Sequence, residues 1–293
     1  MAASHDSFFH SETENPVETA DFENLVIATS PDSWSWQHFL DRVSVVWSQA
    51  ILSLSEQERK ETAILAGRFP NNTFLDEMYA KMGAKTHVHN RIKVTAKNLI
   101  FSCRAPLIHP YSTQRITELF GIDIYQVPIN KRKIVLYMTR NEDAINGGRQ
   151  ILNEDELLGN IRRLLRERNK GEELAIFDRR KFKTVSEIML YFSQNVLGII
   201  GPHGSAFHNA RFASAGTFVL EFMPTGRFQS CFWEQSRLMD QNYAVHMAES
   251  IGDYHDMQIV GIPKLMNLIN RELGKPFERN TNLARTYPWV IDE

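Results

Sequence analysis

The sequence predicts an α/β protein built on parallel sheets, and three observations carry that prediction. Between residues 133 and 222, short apolar runs alternate strictly with stretches of helical spacing, the order that produces strand–helix–strand crossovers. The runs are continuously apolar (KIVLYM, VLGII), as in strands covered on both faces. The chain has 293 residues, 43% of them hydrophobic, enough for two domains with substantial cores.

Taken in order, residues 1–20 are polar and without periodicity, which predicts a disordered tail. Leu25–Thr29 reads as a buried strand. Ser35–Leu52 then carries Trp36, Phe39, Leu40, Val43, Val46, Trp47 and Ala50 on one helical face. A second strand at Ala63–Leu65, a helix at Phe74–Met82 and a strand at Val94–Phe101 follow, then a helix over Tyr111–Phe120 closed by Gly121. The second half is clearer. Lys133–Met138, Leu174–Phe177, Val196–Ile200 and Phe218–Phe222 are strands, and the helices lie at Asn153 onward, Val185–Tyr191 and Ser205–Phe212. Asn153 with Glu156 three positions on resembles a capping box. Pro263–Leu273 is an amphipathic helix with proline in its first turn. The polar connection Pro128–Arg132 divides the chain into an N-terminal unit over 21–130 and a C-terminal ligand-binding unit over 131–262, with a closing helix and tail over 263–293.

Charge excludes one class of partner. Thirty-three Lys and Arg face 35 Asp and Glu, for a formal charge of -2, so no nucleic-acid partner is expected. The one basic run, Asn160–Lys170, has the spacing of a solvated helix face with Ile161, Leu164 and Leu165 turned inward. No apolar run reaches the ~18–20 residues of a membrane span. Cys103 and Cys231 allow one bridge or two free thiols. Asn71-Asn72-Thr73 has the glycosylation acceptor pattern. His87 and His89 could share a strand face, but a third ligand is missing nearby, so surface histidines and no metal site are expected.

Ligands of open parallel sheets bind beyond the carboxyl ends of the strands. The loops after Met138, Phe177, Ile200 and Phe222 are therefore the candidates, and the third is the most informative. There VLGII runs into Gly201-Pro202-His203-Gly204 and a helix starting at Ser205. Glycines let the backbone approach a ligand, a helix start offers unpaired N–H groups to a phosphate, and His203 could donate to a phosphate oxygen. A purely geometric role for the glycines fits equally well. Arg140 and Arg149 flank the preceding loop, and their forks suit a diphosphate; surface ion pairs with Glu142, Asp143 or Asp155 are the alternative. Glu221 stands near the exit of the fourth strand, either to accept from a ribose or sugar hydroxyl or to cap a neighbouring helix. Gly201-Pro202-His203-Gly204 lacks the Gly-x-Gly-x-x-Gly spacing of a nicotinamide site, and Ser205 is not in a Gly-x-Ser-x-Gly elbow.

The block IIGPHGSAFHNARFASAGTFVLEFMP resembles the signature of glycosyltransferase family 61. The matching points are Gly201, His203, Gly204, Ser205, Asn209, Gly216, Glu221 and Pro224. Upstream, Arg140, Arg149, Asn153, Glu154 and Glu156 are similar to the family's Arg…Arg…Asn-Glu pattern, and WSWQHFLDRV and LIFSCRAPLIHP resemble its N-terminal segments. The resemblance implies an inverting transferase of GT-B architecture, two Rossmann-like domains with parallel sheets facing a cleft. It implies a UDP-sugar co-substrate with no other cofactor, a glycan or glycoprotein acceptor, a Golgi or endoplasmic reticulum lumen setting, and no metal held by Asp-x-Asp. That motif does not occur in the chain. Donor binding is expected at Arg140, Arg149, Asn153, Gly201, His203, Gly204, Ser205, Asn209 and Glu221. The chain is short for the family and lacks its usual N-terminal anchor, so the alternative expectation is a truncated or degenerate, non-catalytic module.

An inverting transfer also needs a base for the acceptor hydroxyl. His38 and Asp41, three apart on one helix, are the expected pair, with His38 as base. A histidine bonded to the backbone, and an acidic base in an N-terminal loop, are the competing assignments.

Overall fold

The structure is a computed structural model that describes residues 19–28, 35–66, 73–84, 86–89, 93–101, 110–140 and 148–279. The described residues form two parallel sheets. The first has the order β3-β2-β1-β4, from β1 (Thr19–Ile27), β2 (Thr62–Ala66), β3 (Thr86–His89) and β4 (Lys93–Phe101). The second has the order β6-β5-β7-β8-β9, from β5 (Ile134–Tyr137), β6 (Glu173–Ile176), β7 (Val196–Pro202), β8 (Phe218–Pro224) and β9 (Asn242–Ala248). In this second sheet the chain steps from β5 outward to β6, then returns past β5 to β7. The strand order therefore reverses between β5 and β7, where open α/β sheets leave a crevice for a ligand.

Period-two alternation decides which layer each side chain joins. Val135 and Tyr137 of β5, with Phe218, Leu220 and Phe222 of β8, pack against the helices α6 (Glu154–Arg168) and α9 (Ile262–Glu272). Leu136, Met138 and Val219 face the opposite layer, formed by α7 (Val185–Asn195) and the segment Ser205–Phe212. All seven residues of β7 and of β8 are buried, as their mainly apolar runs predict, with Glu221 of β8 the one charged side chain among them. The helix α6 buries Leu157, Leu158, Ile161 and Leu165, while Glu154, Asp155 and Glu156 sit at its start and Arg166 and Arg168 at its end. That charge order complements the helix dipole.

Several expectations are corrected. The polar tail ends earlier than residue 20, because β1 begins at Thr19. The 35–52 helix is interrupted: α1 (Trp36–His38) passes through a π turn at Phe39–Val43 into α2 (Ser44–Ala50). The extra residue rotates the buried face, so Ser44 and Val45 are buried although the straight-helix pattern leaves them out. The helix expected at Ser205–Phe212 is present on those residues and is of the 3₁₀ type. Asn153 is the N-cap of α6 by position, yet its side chain makes no cap hydrogen bond; it accepts from Ile259 N at 2.9 Å and donates to Ile259 O at 3.0 Å, with Glu156 Oε2 at 3.0 Å. Helices α4 (Thr73–Lys81) and α5 (Pro110–Leu119) fall close to their expected spans, whereas α3 (Glu56–Glu61), α8 (Cys231–Leu238) and strand β9 are additional elements. Residues 71 and 72 of the glycosylation pattern, Cys103, the 141–147 loop with Glu142 and Asp143, and the 280–293 tail lie outside the described residues, as do the side chains of His87 and His89.

One apolar cluster joins the two sheets' layers. Phe39, Leu40, Val43 and Trp47 belong to the same buried cluster as Phe207, Ala210 and Phe212. Arg211, 1% exposed, donates from Nη1 to Leu40 O at 2.7 Å, and the same carbonyl accepts from Ser44 Oγ. A second buried arginine, Arg132, stitches β5 to its neighbours through Thr217 Oγ1 and the carbonyls of Val196, Ser214 and Ala215. Burial lowers its pKa to about 10.

Candidate functional site

The crevice between β5 and β7 opens where the sheet order reverses. It forms a cavity of about 540 Å³ lined by Thr139, Arg140, Phe177, Lys181, Gly204 and Ser205. Two glycines set its shape. A Cβ on Gly201 would lie 2.5 Å from Met138 O, so only glycine lets β7 run this close to the end of β5. A Cβ on Gly204 would meet Arg140 Nη1 at 2.6 Å, so the turn and the guanidinium are in direct contact. Ser205 is exposed at the start of the 3₁₀ helix, whose first N–H groups have no partner within the helix.

Arg140 does not stand alone. Its Nε donates to Gly148 O at 2.9 Å, which brings the two ends of the 140–149 loop together. Arg149 is 8% exposed and adopts φ 62, a left-handed conformation uncommon for a side-chain-bearing residue. Its N–H donates to Tyr254 O, and the neighbouring Gln150 N–H donates to Asp256 Oδ1. The hairpin of β10 (Ser250–Ile251) and β11 (Asp256–Met257) thus holds the turn, and it also holds the 225–227 turn through Gly226 N–H to Ser250 Oγ. Arg227 rises from that second turn. Burial lowers the pKa of Arg149 to about 10, with Arg140 and Arg227 pushing the same way and Glu221 opposing. Burial and Arg227 likewise lower Arg140, against Asp256. Among the described residues, none of these three arginines has a carboxylate within ion-pairing distance. Three neighbouring cations with no paired carboxylate among the described residues are an arrangement that attracts a polyanion. The surface ion pair with Asp155 is not formed.

His203 and Glu221 sit differently from expectation. His203 is 4% exposed rather than projecting from the turn. Its Nδ1 meets Glu221 Oε1, and its Nε2 meets Gln229 Oε1 at 2.8 Å. Both contacts are satisfied by a doubly protonated ring, or by a neutral one with the Gln229 amide turned. Glu221, 0% exposed, faces Gly201 across the β7–β8 register and takes a second hydrogen bond from Tyr243 OH at 2.5 Å. It neither reaches a ligand surface nor caps a helix; it fixes His203. Burial, then Glu221, raises the Tyr243 phenol far above its ordinary value. Asn209 is 4% exposed and donates to Ala206 O, inside the 3₁₀ helix rather than toward the cavity. Asn153, bound to Ile259, is likewise a fastening of α6.

Gln229 leads to a second cavity of about 520 Å³, lined with His38, Asp41, His208, Arg211 and Glu234. His38 Nδ1 lies 3.4 Å from Asp41 Oδ1, and Asp41 is also 3.8 Å from Arg42 Nε. The His38 ring is thus paired with a carboxylate rather than with the backbone. His208 is buried against the Phe232 ring at 4.9 Å, and His203 lies on the same ring at 5.4 Å. Burial pushes the His208 pKa down to about 3, Asp41 opposing and Arg211, His38 and His203 adding to the fall.

The structure therefore gathers Arg140, Gly201, Gly204 and Ser205 at the crevice, with Arg149 beside Arg140, and places His38 with Asp41 at the second cavity. Arg227, Gln229, Tyr243, His208 and Arg211 were not anticipated. Arg227 follows β8 in one of the loops expected to carry ligand contacts, and His208 and Arg211 lie within the recognised block, so position marked them while residue type did not. Among the described residues no cluster of three or more His, Cys, Asp or Glu is arranged to hold a metal, and no helix is long and apolar enough to cross a membrane.

Comparison with known proteins gives one decisive match. No curated protein matches the chain. A mutant flavo di-iron protein from Thermotoga maritima is similar at 14% identity and a TM-score of 0.33, over 80% of this chain and 52% of that one, so the chain spans about half its length. That likeness is too distant to bear on fold or function. The family described as Glycosyltransferase 61 matches residues 36–220, well over half of the chain and reaching from α1 into β8. The chain belongs to glycosyltransferase family 61.

Proposed function

We propose that the chain performs inverting transfer of a sugar from a UDP-linked donor to a hydroxyl of a glycan or glycoprotein. Its two parallel-sheet units would face each other across a cleft in the GT-B manner, within the Golgi or endoplasmic reticulum lumen. The observation that carries the proposal is Arg140 at the reversal of strand order, with Arg149 and Arg227 close enough to act on it electrostatically and no carboxylate paired with any of the three among the described residues. The donor diphosphate lies against these guanidiniums and the N–H groups at Ser205. Their charge stabilises the diphosphate as the bond to the anomeric carbon breaks. His38, held by Asp41, takes the proton of the acceptor hydroxyl as its oxygen forms the new bond from the opposite face.

Calorimetry with UDP tests the donor half. Arg149→Ala removes one charge-assisted contact of about 1.5–3 kcal/mol, so affinity should fall ~10–100-fold. Unchanged affinity removes Arg149 from the donor site. For the second half, His38→Ala should leave UDP affinity intact and reduce sugar transfer by ~10²–10⁴-fold. Retained turnover moves the base elsewhere, whereas UDP binding without turnover in the unaltered protein favours a non-catalytic module.

A further inference from the structure

One wall of the crevice is held from the other half of the chain. That wall is Asp178–Lys181, a single 3₁₀ turn capped by Asp178, whose carboxylate accepts from Arg180 N at 3.0 Å. So short a turn takes its position from its two ends. The downstream end runs into α7. There Thr184 Oγ1 accepts from Glu187 N at 3.1 Å, while the N–H groups of Val185 and Ser186 have no partner inside the helix. They donate instead to Glu77, to Oε2 at 2.7 Å and Oε1 at 3.0 Å. Ser186 Oγ adds a third hydrogen bond to Glu77 at 2.6 Å. Glu77 belongs to α4 in the first half, 108 positions before Val185. One turn earlier on the same face of α4, Phe74 holds the upstream end of the wall. The Arg179 guanidinium lies 3.9 Å from its ring centroid. Helix α4 therefore grips the wall at both ends, although neither Phe74 nor Glu77 lines the cavity. Burial opposes the charge on Glu77, but the hydrogen bonds from Ser186 and Val185 outweigh it and hold its pKa below the ordinary value. The positive end of the α7 dipole favours the same ionised carboxylate.

We propose that Glu77 is a positioning residue of the crevice. Together with Phe74 it sets where Asp178–Lys181 stands against Arg140 and Ser205, and so where Lys181 stands for a bound diphosphate. The first half thereby tunes the affinity of a site built from residues of the second. The diphosphate as occupant rests on the transfer reading above; the clamp rests on the hydrogen bonds of Glu77 and the stacking of Arg179 on Phe74.

The test is calorimetry on the intact chain with UDP and with inorganic pyrophosphate, beside amide hydrogen exchange over the wall. Glu77→Ala should weaken both ligands about tenfold and speed exchange at Val185, Ser186 and the 179–182 amides. Glu77→Gln keeps one acceptor oxygen and should recover part of the loss; it carries the same comparison if Glu77→Ala does not fold. Lys181→Ala should weaken binding by itself, and Glu77→Ala should add little in that background, because both act through one wall. A role confined to stability would lower the urea midpoint and leave affinity and this coupling untouched. Native affinity in Glu77→Ala, additive losses, an indifferent Lys181→Ala, or unchanged exchange across the wall overturns the proposal. Pyrophosphate binding that follows the expected pattern while UDP does not bind sinks the nucleotide-donor reading and leaves the clamp standing. Binding of neither ligand to the unaltered chain overturns both.

Discussion

His208 shows how burial alone sets a residue's chemistry. It sits against Phe232 with its pKa pushed down to about 3 from the ordinary 6.5. The folded protein therefore holds it neutral while the unfolded chain takes up a proton as pH falls through 6.5. The unfolded state then binds more protons, so stability declines from about pH 6.5 toward pH 3, by at most about 1.4 kcal/mol per unit. Above pH 6.5 the group contributes no slope. Urea unfolding at pH 7, 6 and 5 should show a shallower decline for His208→Gln than for the unaltered chain, and equal slopes would refute the account. At this scale the sequence was partly legible. Gly201, Gly204 and Arg140 meet as their motif implied. The partners of His203 were not, because a strand register, Gly201 opposite Glu221, brings together groups 18 positions apart.

The β10–β11 hairpin is the element on which the arginine site depends. It fixes Gly148 and Arg149, both with positive φ, and it braces the turn that carries Arg227. A Cβ at Gly148 would lie 1.9 Å from Tyr254 O in a backbone conformation that costs an L-residue ~1–2 kcal/mol. Gly148→Ala should therefore lower the urea midpoint by an amount equivalent to about 2 kcal/mol or more. It should also weaken UDP binding although no arginine is altered. A variant with native stability and affinity would show that the turn adapts freely. Elements with strong periodicity were read correctly: α6, α9 and the strands β5, β7 and β8 follow from their apolar spacing. The π turn at Phe39–Val43 was not, since one inserted residue leaves composition unchanged and only rotates the face. Nor were α8 and β9, whose sequences CFWEQSRL and NYAVHMA mix polar and apolar residues without a clean period.

Across the molecule each sheet has a buried cluster of its own on one face, and on the other the two share a common core. Phe39, Leu40, Val43 and Trp47 from the first half share one buried cluster with Phe207, Ala210 and Phe212 from the second. Arg211, its pKa lowered to about 10 by burial against the pull of Asp41, reaches across to Leu40 O. Opening the halves would expose large aromatic surface and leave a buried guanidinium without its carbonyl. At ~25 cal/mol per Å² of apolar area, a few side chains the size of Phe and Trp amount to several kcal/mol, comparable with the whole stability of an ordinary domain. The halves should therefore unfold in one transition rather than two. Single-tryptophan variants retaining Trp47 or Trp233 report on each half separately. Because removal of Trp47 itself lowers stability, the fluorescence midpoint of each variant in urea should coincide with that variant's own far-ultraviolet circular dichroism midpoint. Arg211→Met keeps the bulk of the side chain and removes its donors, so it should lower both midpoints together. A fluorescence transition separated from the circular dichroism transition of the same variant, with or without Arg211→Met, would mean that the shared cluster does not couple the halves and that each sheet stands on its own layer.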